Sequence, residues 1–356
     1  MILRQQFIFW FVAVLIFIGL IMLLQPILLP FVTGAIIAYL LDPLVDRIEK
    51  RGLSRLAGTS IVLLAFLMVF AGLMMLTLPL LKDQLMGLIE TAPRYIEQIK
   101  NYSMNLYETM QYRLQGQIDA SAIKDNASSY AADALGRTTD IVGRILTSSF
   151  AIFDIISFLI VAPVVAFYML KDWDKAMATL DQLLPRAHAS VIRDLLSQMN
   201  QNVAGFLRGQ ATVCILLGLF YGIALSIAGV NFGLLIGIIA GILSFIPYVG
   251  TLTGFVAAMV VAYFQYDGAL TELVWVVAIF VVGQILEGNF LTPKLVGDKI
   301  GLHPVWVIFA LMAGAHLMGF VGIMIAVPLA AIIAVMVRFL IMRYKASQYY
   351  HGGQGV

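Results

Sequence analysis

Residues 232–264 read FGLLIGIIAGILSFIPYVGTLTGFVAAMVVAYF, an apolar run of 33 residues interrupted only around Ile246-Pro247-Tyr248-Val249-Gly250. As a helix rising about 1.5 Å per residue the run would be about 50 Å long, and a bilayer core is about 30 Å thick. One straight span cannot be that long, so the proline and glycine mark a break and the run reads as a broken hairpin. A second overlong segment, Pro304 to Leu340, is interrupted by GAHLMGFVG at 314–322. Between the two lies one ordinary span, about Leu270 to Phe290. Lys294, Lys299, Arg338, Arg343 and Lys345 fall on one side of this arrangement, and the Asp267 loop, which has no Lys or Arg, falls on the other. The basic side is the cytoplasmic one.

Working outward, apolar stretches recur toward the N-terminus. Phe7 to Leu24 is longer than a signal-peptide core and ends at Gln25-Pro26 without a small-x-small cleavage site, so it reads as a retained span. Further spans run to Leu41, from Thr59 to Leu81, from Ile141 to Leu170 and from Leu207 to Ala228. The loop from Asp42 to Arg55 and the stretch from Lys171 to Arg208 are rich in Lys and Arg and face the cytoplasm. Both termini then lie inside. Overall composition agrees: 61% of residues are hydrophobic and 12% charged, about half the charged fraction of a soluble domain.

The expected fold is all-α, a polytopic transmembrane bundle of about eight helices with two broken or hairpin-like segments in its C-terminal half. An amphipathic helical region follows the third span, because Leu85, Leu88, Ile89, Ala92, Ile96, Ile99 and Leu106 recur at helical spacing. The chain divides on this reading into 1–81 (three spans), 82–140 (the amphipathic region, placed outside), 141–346 (the C-terminal bundle with a cytoplasmic helical linker at 171–206) and a flexible tail, 347–356.

Several function classes are excluded by what the residues omit. There is no GxxxxGK[ST] loop for nucleotide phosphates, no HExxH or Cys/His metal spacing and no GxSxG elbow. We therefore expect no enzyme and no cofactor. Net charge is +2 and no basic patch interleaves with aromatics, so nucleic acid is not an expected partner. Cys214, the one cysteine, sits in an apolar run and reads as a packing residue.

Backbone that leaves a helix at membrane depth must be covered by protein or line a wet cavity, so paired breaks point to a pathway. Pro247, Tyr248 and Gly250 at the first break, and His316 within the second, are candidates for its lining. The alternative is that Gly and Pro only let helices kink and pack closely, and that His316 is a packed histidine bonded to a carbonyl. Among the few ionisable groups within spans, Glu287 stands out in QILEGNFLTPK at 284–294. A carboxylate in a membrane interior costs about 2.5 kcal/mol or more and is a functional candidate by default. Gln284 lies three residues before it, on a shared helix face. With Asn289, Thr292, Pro293 and Lys294 these residues form the candidate site, suited to a small polar solute or to a proton or monovalent cation. The alternative is a structural cluster in which Glu287 pairs with Lys294.

Five stretches taken together resemble the autoinducer-2 exporter (AI-2E) transporter family: AYLLDPLVD at 38–46 followed by Arg51-Gly52; FYMLKD at 167–172; FIPYVG at 245–250; EGNFLTPKLVG at 287–297 with Leu302-His303-Pro304; and Gly319 to Gly322 leading to AVPLA at 326–330. The resemblance covers nearly the whole chain. It implies a bacterial inner-membrane permease in contact with lipid, forming a homo-oligomer, a pentamer in particular. The implied activity is export of the signal autoinducer-2, or in some members sodium or lithium/proton antiport. A non-transporting membrane scaffold, docking a partner through the amphipathic stripe, is the reading from another class.

Overall fold

The computed structural model describes residues 12, 16, 19, 20, 23–113, 149–296, 302–347, 349 and 350. Eight α-helices dominate them: α1 (Leu28–Glu49, after a 3-10 turn at Gln25–Ile27), α2 (Arg55–Arg113), α3 (Ser149–Gln182), α4 (Ala189–Ile227), α5 (Gly233–Leu243), α6 (Val249–Gln265), α7 (Leu270–Ile285, continuing as a π-helix over Leu286–Val296) and α8 (Pro304–Lys345). No strand occurs among the described residues. Six stretches, Ile27–Glu49, Arg55–Gln84, Ile156–Gln182, Ala189–Ile227, Leu270–Val296 and Pro304–Lys345, are long and apolar enough to cross a membrane, and α5 and α6 are shorter apolar helices. Large apolar side chains face outward, with Met75 at 79% and Ile227 at 82% exposure. A soluble protein buries such groups, whereas here hydrocarbon is the covering solvent. The all-α membrane bundle is therefore borne out. The first expected span, Phe7 to Leu24, lies largely outside the described residues, as does everything from 114 to 148.

Both overlong segments reverse direction. Between α5 and α6 the chain turns through Ser244–Tyr248, its amides held locally: Phe245 N donates to Ile242 O at 3.1 Å, Ile246 N to Leu243 O at 3.0 Å and Val249 N to Ile246 O at 3.2 Å. Tyr248 enters α6 with φ of 68°, a left-handed backbone rare outside glycine. A Cβ on Gly250 would collide with the Ala240 carbonyl of α5 and with Ser244 just after it, so only glycine lets the start of α6 fold back this closely. In α8 the break falls at Met318 (φ −138°) and Gly319 (φ 56°). A Cβ on Gly314 would lie 2.8 Å from the Gly322 carbonyl carbon and 3.2 Å from the Ala326 Cβ. In a straight helix residues 314 and 322 would be about 12 Å apart, so the two limbs lie against each other.

The third span and the amphipathic stretch after it are one continuous helix: the apolar part ends near Gln84 while α2 continues to Arg113, and Lys, Gln and Glu sustain a helix as well as Leu does. The linker at 171–206 is the end of α3 and the start of α4, joined by a turn over 183–188. Arg193 braces that turn with a two-pronged bond to Asp181 at 2.6 and 2.8 Å.

By packing, the described chain forms two compact units. The first comprises 1–68, 157–213 and 288–356. Its core joins Ala38, Leu41 and Val45 of α1, Val62 and Leu63 of α2, and Ala166 and Leu170 of α3. The second comprises 69–156 and 214–287. There α4 and α5 meet through glycines spaced four apart, which places them on one face of each helix: Gly218 and Gly222 against Gly233, Gly237 and Gly241. A Cβ on Gly241 would lie 2.8 Å from the Cys214 carbonyl oxygen. Substituting Gly237→Leu is expected to destabilise by about 3 kcal/mol, since backbone has no rotamer with which to yield. The thermal melt of the purified protein measures it, and an unchanged melt would show that these helices do not need contact at this depth.

Candidate functional site

The second unit carries a buried carboxylate. Pro293 has no N–H to give to an α-helical bond, and around it α7 widens into an eleven-residue π-helix, Leu286–Val296. Such stretches are rare and concentrate at functional positions. Glu287 sits at its start and is 8% exposed; no other charged side chain among the described residues is so buried.

Its partner comes from the first break. Thr251, one residue after Gly250 in the first turn of α6, donates its hydroxyl to Glu287 Oε2 at 3.0 Å. Oε1 has no partner among the described residues, and no ion pair involves Glu287 there. A carboxylate out of water with one hydrogen bond and no counter-charge is poorly compensated. Such a group is suited to pairing with a cation or with a hydrogen-bond donor of a solute.

A second polar group lies beside it. Tyr221 of α4 is fully buried, its ring stacked on Phe280 with centroids 4.6 Å apart. Among the described residues its hydroxyl makes no hydrogen bond of good geometry, although Thr251 lies beside it, and a buried hydroxyl so placed costs about 1–3 kcal/mol relative to a satisfied group. Gly283 makes room for that hydroxyl: a Cβ there would collide with it. Gly283 and Glu287 are both buried, on either side of the point where α7 becomes a π-helix, so the Tyr221 hydroxyl and the carboxylate lie on the same inward side of it. Thr251 and Glu287 both lie near Tyr221, and Glu287 also lies near Cys214.

The residues singled out from sequence fall unevenly around this centre. Gly250 is buried and delivers α6 to α5; Pro247 is half-buried and Tyr248 is 62% exposed. Gln284 is exposed although Glu287 is buried, so the two do not project together as three-residue spacing suggested. The widening of the helix after Ile285 changes the angle per residue and separates them. Asn289, Thr292, Pro293 and Lys294 are exposed, and Lys294 Nζ lies 5.9 Å over the Phe290 ring. His316, on the first limb of α8, is exposed. Thr251 and Tyr221 were missed. Thr251 had a signal, a hydroxyl just after a helix break; Tyr221 had none, because its role depends on a glycine 62 positions away.

The first unit holds a different cluster. Arg55, at the start of α2, donates Nε to Leu170 O at 2.8 Å and contacts Asp42 (3.0 Å), Asp46 (3.2 Å), Glu49 (3.2 Å) and Asp174 (2.6 Å). One guanidinium thus ties α1, α2 and α3 together. Beside it Tyr39, Asp42, Trp173, Asn200 and Arg208 line a cleft of about 30 Å³. That is room for water rather than for a solute. We assign this cluster to structure.

Residues 9–342 match the model of the AI-2E family transporter. The chain is 30% identical to the Bacillus subtilis (strain 168) protein named "Putative transport protein YrrI", over 90% of this chain and 89% of the relative. It is 28% identical to "Putative permease PerM" of Escherichia coli (strain K12), over 88% of each chain. A Synechocystis relative, "Putative transport protein sll0063", is 28% identical over 84% of this chain and 74% of its own length.

Proposed function

The chain belongs to the AI-2E family of transporters, and on that premise we propose that it is a secondary transporter of the bacterial inner membrane that moves a small polar solute of the autoinducer-2 kind out of the cytoplasm past Glu287. The observation that carries this reading is the Glu287 carboxylate, buried in a helix that widens at that point and bonded to a hydroxyl from the α5–α6 break. A membrane protein that keeps such a group against its cost uses it. Discontinuous helices supply polar groups where a passing solute must exchange its hydration.

Efflux of autoinducer-2 from proteoliposomes, with and without an imposed proton gradient, tests the reading. Release above that of protein-free liposomes is expected, faster when a gradient is imposed if protons are coupled. Background release from correctly folded protein would remove this solute.

A second reading, sodium or lithium/proton antiport, is favoured by the oxygen groups around Glu287: a carboxylate and two hydroxyls are ligands for a hard cation or a proton. It predicts that adding sodium or lithium to liposomes loaded with a pH-sensitive dye changes the internal pH. No change with either ion would eliminate it. We further propose that both termini are cytoplasmic and that the chain assembles as a homo-oligomer; reporter fusions and the mass of the detergent-solubilised assembly check them.

A further inference from the structure

We propose that Tyr221 is a specificity-determining residue of the Glu287 site, its hydroxyl donating a hydrogen bond to an oxygen of the solute, and this rests on Glu287 lying on the transport path. Four observations converge. The hydroxyl is completely buried and makes no well-formed hydrogen bond among the described residues, Thr251 beside it being engaged with Glu287, so it does not hold the fold together through a bond of its own. Its ring is fixed by stacking on Phe280, which leaves the hydroxyl little freedom to search for a partner elsewhere. The absence of a side chain at Gly283 admits it to the face of α7. Buried on the same side of that helix stands Glu287, whose Oε1 is unbonded among the described residues and whose Oε2 is already taken by Thr251.

The chemistry is complementary. A tyrosine hydroxyl offers a proton, and a carboxylate oxygen accepts one. A solute carrying a hydroxyl and a neighbouring hydroxyl or carbonyl can satisfy both, receiving from Tyr221 and donating to Glu287. Sites built around such a bond discriminate strongly against analogues that lack the group, because the buried protein atom is then left unpaired. A solute that pairs with the Tyr221 hydroxyl relieves that cost.

Tyr221→Phe removes only the oxygen and preserves the ring stack, so it separates the roles. Three proteins, wild type, Tyr221→Phe and Glu287→Gln, are compared by thermal melt, by autoinducer-2 efflux, and by the rate at which dicyclohexylcarbodiimide, a reagent for membrane-buried carboxyl groups, labels Glu287, located by peptide mass. The expected result for Tyr221→Phe is a melt equal to or above wild type, an apparent KM for efflux raised about tenfold with maximal rate little changed, and a labelling rate altered at least threefold. Normal efflux and normal labelling in a folded Tyr221→Phe protein would overturn the inference while leaving the role of Glu287 intact. Normal efflux in Glu287→Gln would instead overturn the reading on which it rests. The labelling measurement decides even with a solute other than autoinducer-2, since an unchanged rate in Tyr221→Phe shows that the hydroxyl does not share the carboxylate's surroundings.

Discussion

Glu287→Gln is expected to lower solute flux in proteoliposomes about 100-fold or more, equivalent to about 2.7 kcal/mol, while the variant inserts, folds and melts as wild type or better. Glutamine has nearly the same shape and keeps an oxygen that can accept from Thr251 Oγ1. It carries no exchangeable charge. If the carboxylate were only a packing element, its replacement by a neutral isostere would improve the membrane interior and leave flux untouched. Loss of flux with retained stability therefore separates function from structure, and unchanged flux would remove Glu287 from the path. Thr251→Val completes the comparison. It keeps the volume and deletes the donor, leaving the carboxylate without its observed bond, so an intermediate loss is expected in the same assay.

The second large effect lies in the first unit and concerns stability. Arg55→Gln is expected to destabilise by about 2–3 kcal/mol, below the range for fully buried pairs because part of the network is open to water. Arg55 is 13% exposed, whereas Asp174 is 62% exposed. Without the guanidinium, Asp42, Asp46 and Glu49 remain stacked on one face of α1 as like charges three and four residues apart. The Leu170 carbonyl also loses a donor. A melt several degrees lower in detergent is the expected reading. Asp174→Asn should shift it by much less, because an exposed partner contributes under about 1 kcal/mol. Equal melts for wild type and Arg55→Gln would show that the five contacts are mutually compensated by water.

The motifs that carried the family resemblance acquire a physical content here. AYLLDPLVD at 38–46 contributes Asp42 and Asp46, and the stretch that includes FYMLKD at 167–172 contributes Leu170 and, two residues beyond, Asp174. Arg55 lies in neither stretch. Read along the chain it was one more positive charge marking the cytoplasmic side, and its place at the centre of four carboxylates follows from three helices meeting. FIPYVG at 245–250 likewise delivers the next residue, Thr251, to EGNFLTPKLVG at 287–297, which begins with Glu287.

Composition and the lengths of apolar runs determined by themselves that the chain is a helical membrane bundle, because hydrocarbon permits few other ways of satisfying a backbone. The two breaks were legible for the same reason: runs of 33 and 37 residues exceed a bilayer, and glycine or proline within them shows where the chain turns. Glu287 was legible as an ionisable group in an apolar setting. Its company was not. That Thr251 would reach it and that Tyr221 would arrive through the gap at Gly283 were decided only by tertiary structure, and that Gln284 would turn away only by the widening of its helix. Sequence spacing assumes a constant angle per residue, and a π-helix alters that angle within a turn. Contacts between helices depend on the depth and rotation at which they cross, and here the glycines of α4, α5 and α7 determine both through which atoms are absent.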